Sequence, residues 1–275
     1  MLFRTPGSII SPLKWAGGKR WLANRHQALF PKQFNRYFEP FLGGASIFLA
    51  LRPESAVLSD ANAELVEMYK AIRDDWSSVS EKLRWHSELH SEAHYYRQRS
   101  APPMERFERA AWFLYMNRAC YNGLYRVNRR GEFNVPKGSK SEILLDTDDF
   151  AEVSSAMAKA DLISDDFEAI VDMSASGDFV YLDPPYTVKH NNNGFNKYNE
   201  KLFSWSDQER LAKSVERAKA RGVTLIVSNA NHQSLLELYE GFGEIVELTR
   251  HSTIGGLKAS RAAVTEILVR IGFDS

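Results

Sequence analysis

Cysteine is almost absent from this chain of 275 residues, since Cys120 is its only one. A single cysteine forms no internal disulfide and offers no cysteine cluster for zinc or iron–sulfur, which fits a reducing compartment. No apolar run is long enough to cross a bilayer, and "MLFRTPGSII" at the start lacks the apolar stretch of a signal peptide. We therefore expect a cytoplasmic protein with no membrane contact and no metal, whose cofactor, if it has one, is organic.

Net charge is also missing, because 35 basic residues balance 35 acidic ones. The balance conceals an uneven distribution along the chain. Residues 118–140 hold six basic side chains against one acid, and residues 142–178 hold eleven acids against one lysine. The basic segment also contains aromatic residues, and this mixture suits nucleic acid, in which phosphates attract cations and bases stack on flat rings.

Several short apolar runs end at polar residues: "AVLSD", "DLISDD", "FVYLD" and "VTLIVSNAN". Such runs are typical of strands in a parallel sheet that helices cover on both faces, and ligands bind at the carboxyl ends of these strands. A capping box at Ser206 and Glu209, with Gly222 at the far end, predicts a helix between the last two of these strands. "EIVELT" and "AAVTEILVRI", joined by a loop at residues 253–260, predict an antiparallel finish to the sheet.

The alternation of strand and helix lapses between residues 66 and 144. "ERFERAAWFLYMNRA" is apolar all round its middle and predicts a buried helix, and "VNRRGEFNV" alternates around a glycine as a hairpin does. We therefore predict an inserted helical domain with a basic hairpin at 66–144, within a catalytic domain formed by 1–65 and 145–275.

Two glycine turns suggest nucleotide binding. "PLKWAGGKRWL" departs from the phosphate-loop pattern and is a weak signal by itself. "YFEPFLGGASIFLAL" is followed after about seventeen residues by Asp60, and an acid at that distance typically binds the hydroxyls of a ribose. The second turn therefore favours a nucleoside ligand.

"DFVYLDPPYTV" sets Asp183, Pro184, Pro185 and Tyr186 directly after an apolar strand. Because proline has no N–H and fixes its own backbone angle, this bend is stiff. An acid and an aromatic ring are thereby held at a strand end.

Together, "LKWAGGK", "FEPFLGG", "LSDAN", "NRACYNGLYRVNRRGEFNVP" and "DPPY" resemble the Dam-type DNA adenine-N6 methyltransferases. The resemblance implies a Rossmann-like α/β sheet that binds S-adenosylmethionine, and an inserted helical DNA-recognition domain. The partner would be double-stranded DNA, with an adenine in GATC flipped out and methylated at N6. We expect a monomer in solution.

The resemblance assigns methyl transfer to Asp183, Pro184, Pro185 and Tyr186. It assigns the donor to Trp15, Lys19, Phe41, Gly43, Asp60, Asp166, Phe167 and Asp183. Asp60 would bind the ribose, and Asp166 the adenine of the donor, with Asp165 as the alternative.

DNA contacts are expected from the basic segment and from Lys14. Tyr121 would enter the base stack, Asn122 would contact the base left unpaired, and Arg126 would read a guanine. Leu124 and Pro136 would make apolar contacts with a thymine methyl group. The remaining arginines would clamp phosphates: Arg118, Arg129 and Arg130.

Three alternatives compete with this hypothesis. An RNA or protein methyltransferase more often has Asn before the two prolines and lacks the basic insert. A cytosine-C5 methyltransferase needs a nucleophilic cysteine, conventionally after proline, whereas Cys120 follows Ala119. A DNA-binding regulator that has lost catalysis would not need the intact Asp183–Tyr186 turn.

Overall fold

The computed structural model describes residues 9–128, 130–189, 203–251 and 263–273. Arg129 and the predicted loop at 253–260 lie outside the described residues. The helices are α1 Arg20–Arg25, α2 Ser46–Leu51, α3 Ala63–Glu88, α4 Glu92–Ser100, α5 Arg106–Ala119, α6 Phe150–Met157, α7 Phe167–Asp172, α8 Trp205–Ala220 and α9 Gln233–Leu238. The strands are β1 Tyr37–Glu39, β2 Ala56–Ser59, β3 Ala160–Ile163, β4 Phe179–Leu182, β5 Thr224–Ala230, β6 Glu244–His251 and β7 Ala263–Ile271.

The chain divides into two compact units. The first unit comprises Met1–Leu29 and Leu42–Ser164, and the second comprises Phe30–Phe41 and Asp165–Ser275. Both contain strands and helices, so the predicted α/β class is confirmed. Among the described helices, none has the length and apolar character that a membrane span requires.

The first unit packs long helices beside a short parallel strand pair. β2 and β3 pair from Ala56 with Ala160 to Ser59 with Ile163. Helix α3 packs on α5 and α6, and it runs through the domain boundary predicted at residue 66. Its helical geometry breaks instead at Asp75, whose carboxylate accepts hydrogen bonds from the Ser77 hydroxyl and from Ser78. Asp75 therefore caps the second half of α3 from within.

The predicted buried helix and hairpin are both present in the first unit. Every residue of α5 from Ala110 to Ala119 is buried, as an all-round apolar pattern predicts. In the hairpin, Val127 pairs with Phe133, and the Asn128 N–H donates to the Glu132 carbonyl. Gly131 has a φ of 79°, the left-handed conformation that a tight turn requires.

The second unit holds the larger group of strands, in the order β1-β4-β5-β7-β6. β4 pairs in parallel with β1 and with β5, and β7 is antiparallel to both β5 and β6. The side chains of β1 and β4 are all buried, and so is the middle of β5. The predicted parallel strands and their antiparallel finish are thus both confirmed. Asp183 directly follows β4, and Ser228 and Asn229 lie near the end of β5.

Helix α8 begins two residues earlier than its sequence pattern predicts, because its N-cap is Ser204 and not Ser206. Its capping box consists of Ser204 and Asp207, so the box predicted at Ser206 and Glu209 is wrong. Ser204 has extended backbone angles and its hydroxyl accepts from the Asp207 N–H, which satisfies a free donor of the first turn. Gly222 follows the helix with a φ of 78°, as predicted for a helix C-terminus.

Candidate active site and DNA-binding hairpin

The turn at Asp183–Tyr186 lies in the second unit, and its aromatic side chain is anchored on two neighbouring strands. The Tyr186 hydroxyl donates to Glu266 Oε2 of β7 at 2.9 Å and lies 3.2 Å from Ser228 Oγ of β5. Glu266 and Ser228 are buried. Because a phenol has one proton and donates it to Glu266, Ser228 is the donor in the second bond. The ring of Tyr186 is therefore held at its far end.

The electrostatic environment keeps this phenol protonated. Burial, together with the carboxylates of Asp183 and Glu266, raises the pKa of Tyr186 well above its usual value. A phenolate at this position would be desolvated and would face two negative groups. Tyr186 is therefore a neutral ring with a fixed orientation.

A second buried acid, Glu39, lies at the end of β1 in the same unit. Its Oε2 accepts a hydrogen bond from the Tyr37 hydroxyl at 2.9 Å. Burial and the nearby Glu39 raise the pKa of Tyr37 well above its usual value, with smaller contributions from Tyr181 and Asp183. Sequence reasoning assigned no role to Glu39 or Glu266, although an acid inside an apolar strand is an unusual pattern that would have singled out both.

The predicted adenine-binding residues of the donor site also lie in the second unit. Phe41 stacks on Phe167 with ring centroids 5.4 Å apart, and Phe203 packs against both rings. Asp166 is the N-cap of α7 and forms a two-pronged ion pair with Arg210.

The Asp166 carboxylate accepts three described hydrogen bonds, one from the Glu168 N–H and two from the Arg210 guanidinium. Asp165 is exposed, and its carboxylate accepts one backbone N–H, that of Asp166. Asp165 therefore retains more capacity to accept a further hydrogen bond than Asp166.

Asp60 and Gly43, which the sequence assigns to one nucleoside site, are in contact in the first unit. Asp60 Oδ2 accepts from the Gly43 N–H and Oδ1 from the Asn62 N–H, both at 2.9 Å. Burial raises the pKa of Asp60, and the two N–H donors oppose that rise. Two of roughly four acceptor positions on the carboxylate are used in this way.

Trp15 is packed closely against the Gly43 turn. Gly43 has a φ of 43°, and a Cβ added there would lie 2.8 Å from the Trp15 ring. The ring of Trp15 stacks on Tyr125 and Phe113, with centroids 6.0 and 6.4 Å apart. Lys19 is buried, and its ammonium donates to the Gly17 carbonyl at 3.0 Å.

Most of the predicted DNA contacts lie on the exposed side of the basic segment. Tyr121 is 54% exposed, and Asn122 has a left-handed φ of 56°. The exposed Arg126 donates to Asn134 through Nε and Nη2 at 2.8 and 3.3 Å, which orients its guanidinium. Three further residues lie in this segment: Arg130 and Pro136 are exposed, and Leu124 is half-buried.

Arg118 differs from these residues, and the structure contradicts its predicted role as a phosphate clamp. It is 1% exposed. Its five N–H groups make five hydrogen bonds: two to Asp148, two to the Pro12 carbonyl and one to the Ile143 carbonyl. Because a guanidinium has five N–H donors in all, none remains for a phosphate. Although Arg118 belongs to the basic segment, it is a buried residue that cross-links α5 to Pro12, Ile143 and Asp148.

Comparison with known proteins identifies the family. The model of the D12 class N6 adenine-specific DNA methyltransferases matches residues 15–254. The chain belongs to this family. It is 37% identical over 266 residues to the type II methyltransferase M1.LlaDCHI of Lactococcus lactis subsp. cremoris, with 93% of each chain covered. It is 30% identical over 262 residues to the DNA adenine methylase of Serratia marcescens, covering 93% of this chain and 96% of that one.

Membership in this family fits the environment of the single cysteine. Cys120 is buried, its thiol contacts the carbonyls of Asn117 and Leu124, and burial raises its pKa to about 12. A thiol with so high a pKa is a poor nucleophile, unlike the cysteine that cytosine-C5 methylation needs. Within the described ranges, no group of three or more His, Cys, Asp or Glu side chains is arranged to hold a metal ion.

Proposed function

We propose that this adenine-specific DNA methyltransferase transfers the methyl group of S-adenosylmethionine to N6 of an adenine that is flipped out of a GATC site. The observation that carries the proposal is the Asp183–Tyr186 turn, in which the bonds to Glu266 and Ser228 hold the aromatic ring in place. The fixed ring would offer a flipped base a surface to stack on, and the Asp183 carboxylate would offer its amino group a hydrogen-bond acceptor.

The described residues fit the proposed donor. The carboxylate of Asp60 has acceptor positions beyond those taken by Gly43 and Asn62, and a ribose offers two hydroxyl donors. Gly43 has no side chain that would block the approach of a ligand to its backbone. We assign the ribose of the donor to Asp60. Phe41 and Phe167 would make apolar contacts with the donor, Lys19 a charged contact and Trp15 a packing contact.

The adenine of the donor needs an acceptor for its amino group. The resemblance assigns this role to Asp166, with Asp165 as the alternative. The N-cap and ion-pair bonds of Asp166 now favour Asp165 for this role.

Methylation of an adenine amino group needs hydrogen-bond acceptors more than it needs a base. The lone pair of an aromatic amine is delocalised into the ring, so the nitrogen is a poor nucleophile until it becomes pyramidal. We assign the Asp183 carboxylate and the Pro184 carbonyl to accept the two amino hydrogens, and Pro185 to stiffen the turn. The sulfonium of the donor supplies an activated methyl group, whose bond to sulfur breaks to leave a neutral thioether, and the methylated nitrogen then loses one proton to solvent. Tyr186 would stack on the adenine.

The target must leave the helix first, because its amino group is paired and stacked inside the duplex. The basic hairpin is suited to assist, since Tyr121 and Asn122 are exposed at its base. Arg126 would read a guanine, Leu124 and Pro136 a thymine methyl group, and Arg130 a phosphate. Lys14 and Arg129 remain predicted contacts.

GATC is proposed because "NRACYNGLYRVNRRGEFNVP" resembles the recognition segment of family members that methylate this sequence. Several relatives are named DNA adenine methylases, as in Serratia marcescens, whereas others are type II methyltransferases. We further propose that the enzyme acts as a monomer.

The test is to methylate unmodified plasmid with radiolabelled S-adenosylmethionine. The product is then digested with endonucleases that differ in their sensitivity to adenine methylation within GATC. We expect label in DNA and a matching change in digestion. Label without that change would refute GATC, label only in RNA or protein would refute the substrate, and no label with intact DNA binding would indicate a non-catalytic regulator.

A further inference from the structure

Asn117, near the end of α5, joins two loops through its side-chain amide. Its Oδ1 accepts the Lys14 N–H at 2.9 Å, and its Nδ2 donates to the Lys14 carbonyl at 3.0 Å. The same Nδ2 donates to the Gly123 carbonyl at 3.0 Å. Asn117 is 1% exposed, so water does not compete for these bonds. One amide thus joins the backbone at Lys14, in the loop before α1, to the backbone at Gly123, in the loop after α5.

The two loops also touch directly, at a point where the chain has no side chain. Gly123 has a φ of 67°, and a Cβ added to it would lie 2.8 Å from Lys14 Cβ and 2.9 Å from the Lys14 carbonyl oxygen. Any larger residue would push Lys14 away. The contact is therefore specific to glycine at this position and to the backbone geometry that Asn117 maintains.

On either side of this contact lie the residues proposed for the two ligands. Trp15 follows Lys14 in the chain, packs on the Gly43 turn, and Gly43 in turn donates to Asp60. The Trp15 ring also stacks on Tyr125, which directly precedes Arg126. All these residues belong to the first unit, so an unbroken series of contacts links the proposed ribose site to the proposed DNA reader.

We infer that Asn117 is a positioning residue that makes binding of the methyl donor and binding of DNA favour the same arrangement of the Lys14 and Gly123 loops. Each ligand then raises the affinity for the other by the same factor, because binding linkage is reciprocal. This inference rests on the proposed roles of Trp15, Asp60 and Arg126.

The experiment measures that factor with S-adenosylhomocysteine, a non-reactive product of the donor, and a short duplex containing one GATC. The dissociation constant of the duplex is measured with and without saturating S-adenosylhomocysteine. For the unmodified enzyme we expect a ratio between about 5 and 150, the usual range of coupling between two sites. Asn117→Ala should bring the ratio close to one, whatever it does to each affinity separately.

Asn128→Ala is the matched control. Asn128 also makes three side-chain hydrogen bonds, to the Arg130 N–H and to the N–H and carboxylate of Glu132, but all of them lie inside the hairpin. It should weaken duplex binding equally with and without S-adenosylhomocysteine, so its ratio should stay at the unmodified value. A purely structural role for Asn117 would likewise leave the ratio unchanged.

Gly123→Ala disturbs the same contact from the other loop and decides the matter if Asn117→Ala does not fold. Its ratio should also fall towards one. A normal ratio in folded Asn117→Ala or Gly123→Ala, or a ratio of one in the unmodified enzyme, would overturn the inference and leave the proposed function standing. Failure of the unmodified enzyme to bind either probe would instead overturn the proposed function.

Discussion

Arg118 and Arg130 belong to the same basic segment, but the structure predicts opposite consequences for their loss. Arg118→Met removes five buried hydrogen bonds, and it leaves Asp148 with only the Leu145 N–H among its described partners. Arg130→Met removes an exposed side chain. The first variant should therefore lose stability, and the second should lose affinity for DNA.

The size of the first effect follows from burial. The side chain of Arg118 is 0% exposed and that of Asp148 is 12% exposed. Removing one partner of such a pair costs about 3–5 kcal/mol, because the other partner stays behind without its countercharge. Total stabilities are about 5–15 kcal/mol, so this is a large share. The expected fall in Tm is roughly 6–20 °C.

Asp148→Ala should destabilise the protein at least as much as Arg118→Met, because it leaves a guanidinium buried. Urea denaturation measures the loss of stability in each variant. Binding of a GATC duplex at several salt concentrations, below the unfolding temperature, measures the phosphate contacts. Arg130→Met should lower the salt slope by about one unit and keep the Tm, whereas Arg118→Met should keep the slope. A lower slope for Arg118→Met with unchanged stability would show that Arg118 contacts phosphate after all.

Four further predictions concern the proposed reaction. Asp183→Ala should reduce single-turnover methyl transfer by two or more orders of magnitude and leave DNA affinity largely intact, since it removes an acceptor for the reacting amine; near-normal turnover would contradict this role. Asp60→Ala should weaken S-adenosylmethionine binding in calorimetry, and unchanged affinity would exclude Asp60 from the ribose. Arg126→Ala should cost about 1–3 kcal/mol on GATC and little on a duplex that lacks the guanine it reads; equal losses on every single-base change would remove Arg126 as the reader. Glu266→Ala should lower the methylation rate and alter the fluorescence of 2-aminopurine placed at the target adenine, because Tyr186 loses its anchor, whereas Glu266→Gln should restore both; normal fluorescence in Glu266→Ala would show that the ring does not need the anchor.

Local patterns in the sequence were sufficient for much of the fold. Proline and glycine restrict or widen backbone angles wherever they occur, so the turn at Asp183–Tyr186 and the hairpin at Gly131 could be predicted without tertiary information. Continuous apolar runs likewise predicted the parallel strands. The spacing from Gly43 to Asp60 indicated a nucleoside site, but the hydrogen bond between these two residues is known only from the structure. Family resemblance, carried by short motifs, indicated the chemistry.

Only the tertiary structure shows which side chains are buried or hydrogen-bonded by residues that are distant in the sequence. Arg118 and Arg126 look alike in sequence, yet Asp148 and two backbone carbonyls bury the first while the second lies exposed on the hairpin. Glu266 lies 80 residues from Tyr186, and Asn117 lies 103 residues from Lys14. No local pattern encodes such pairs, because burial and hydrogen bonding depend on which distant residues the fold brings together. The sequence thus determined the elements and the reaction class, whereas only the folded chain distinguished an exposed arginine from a buried cross-link.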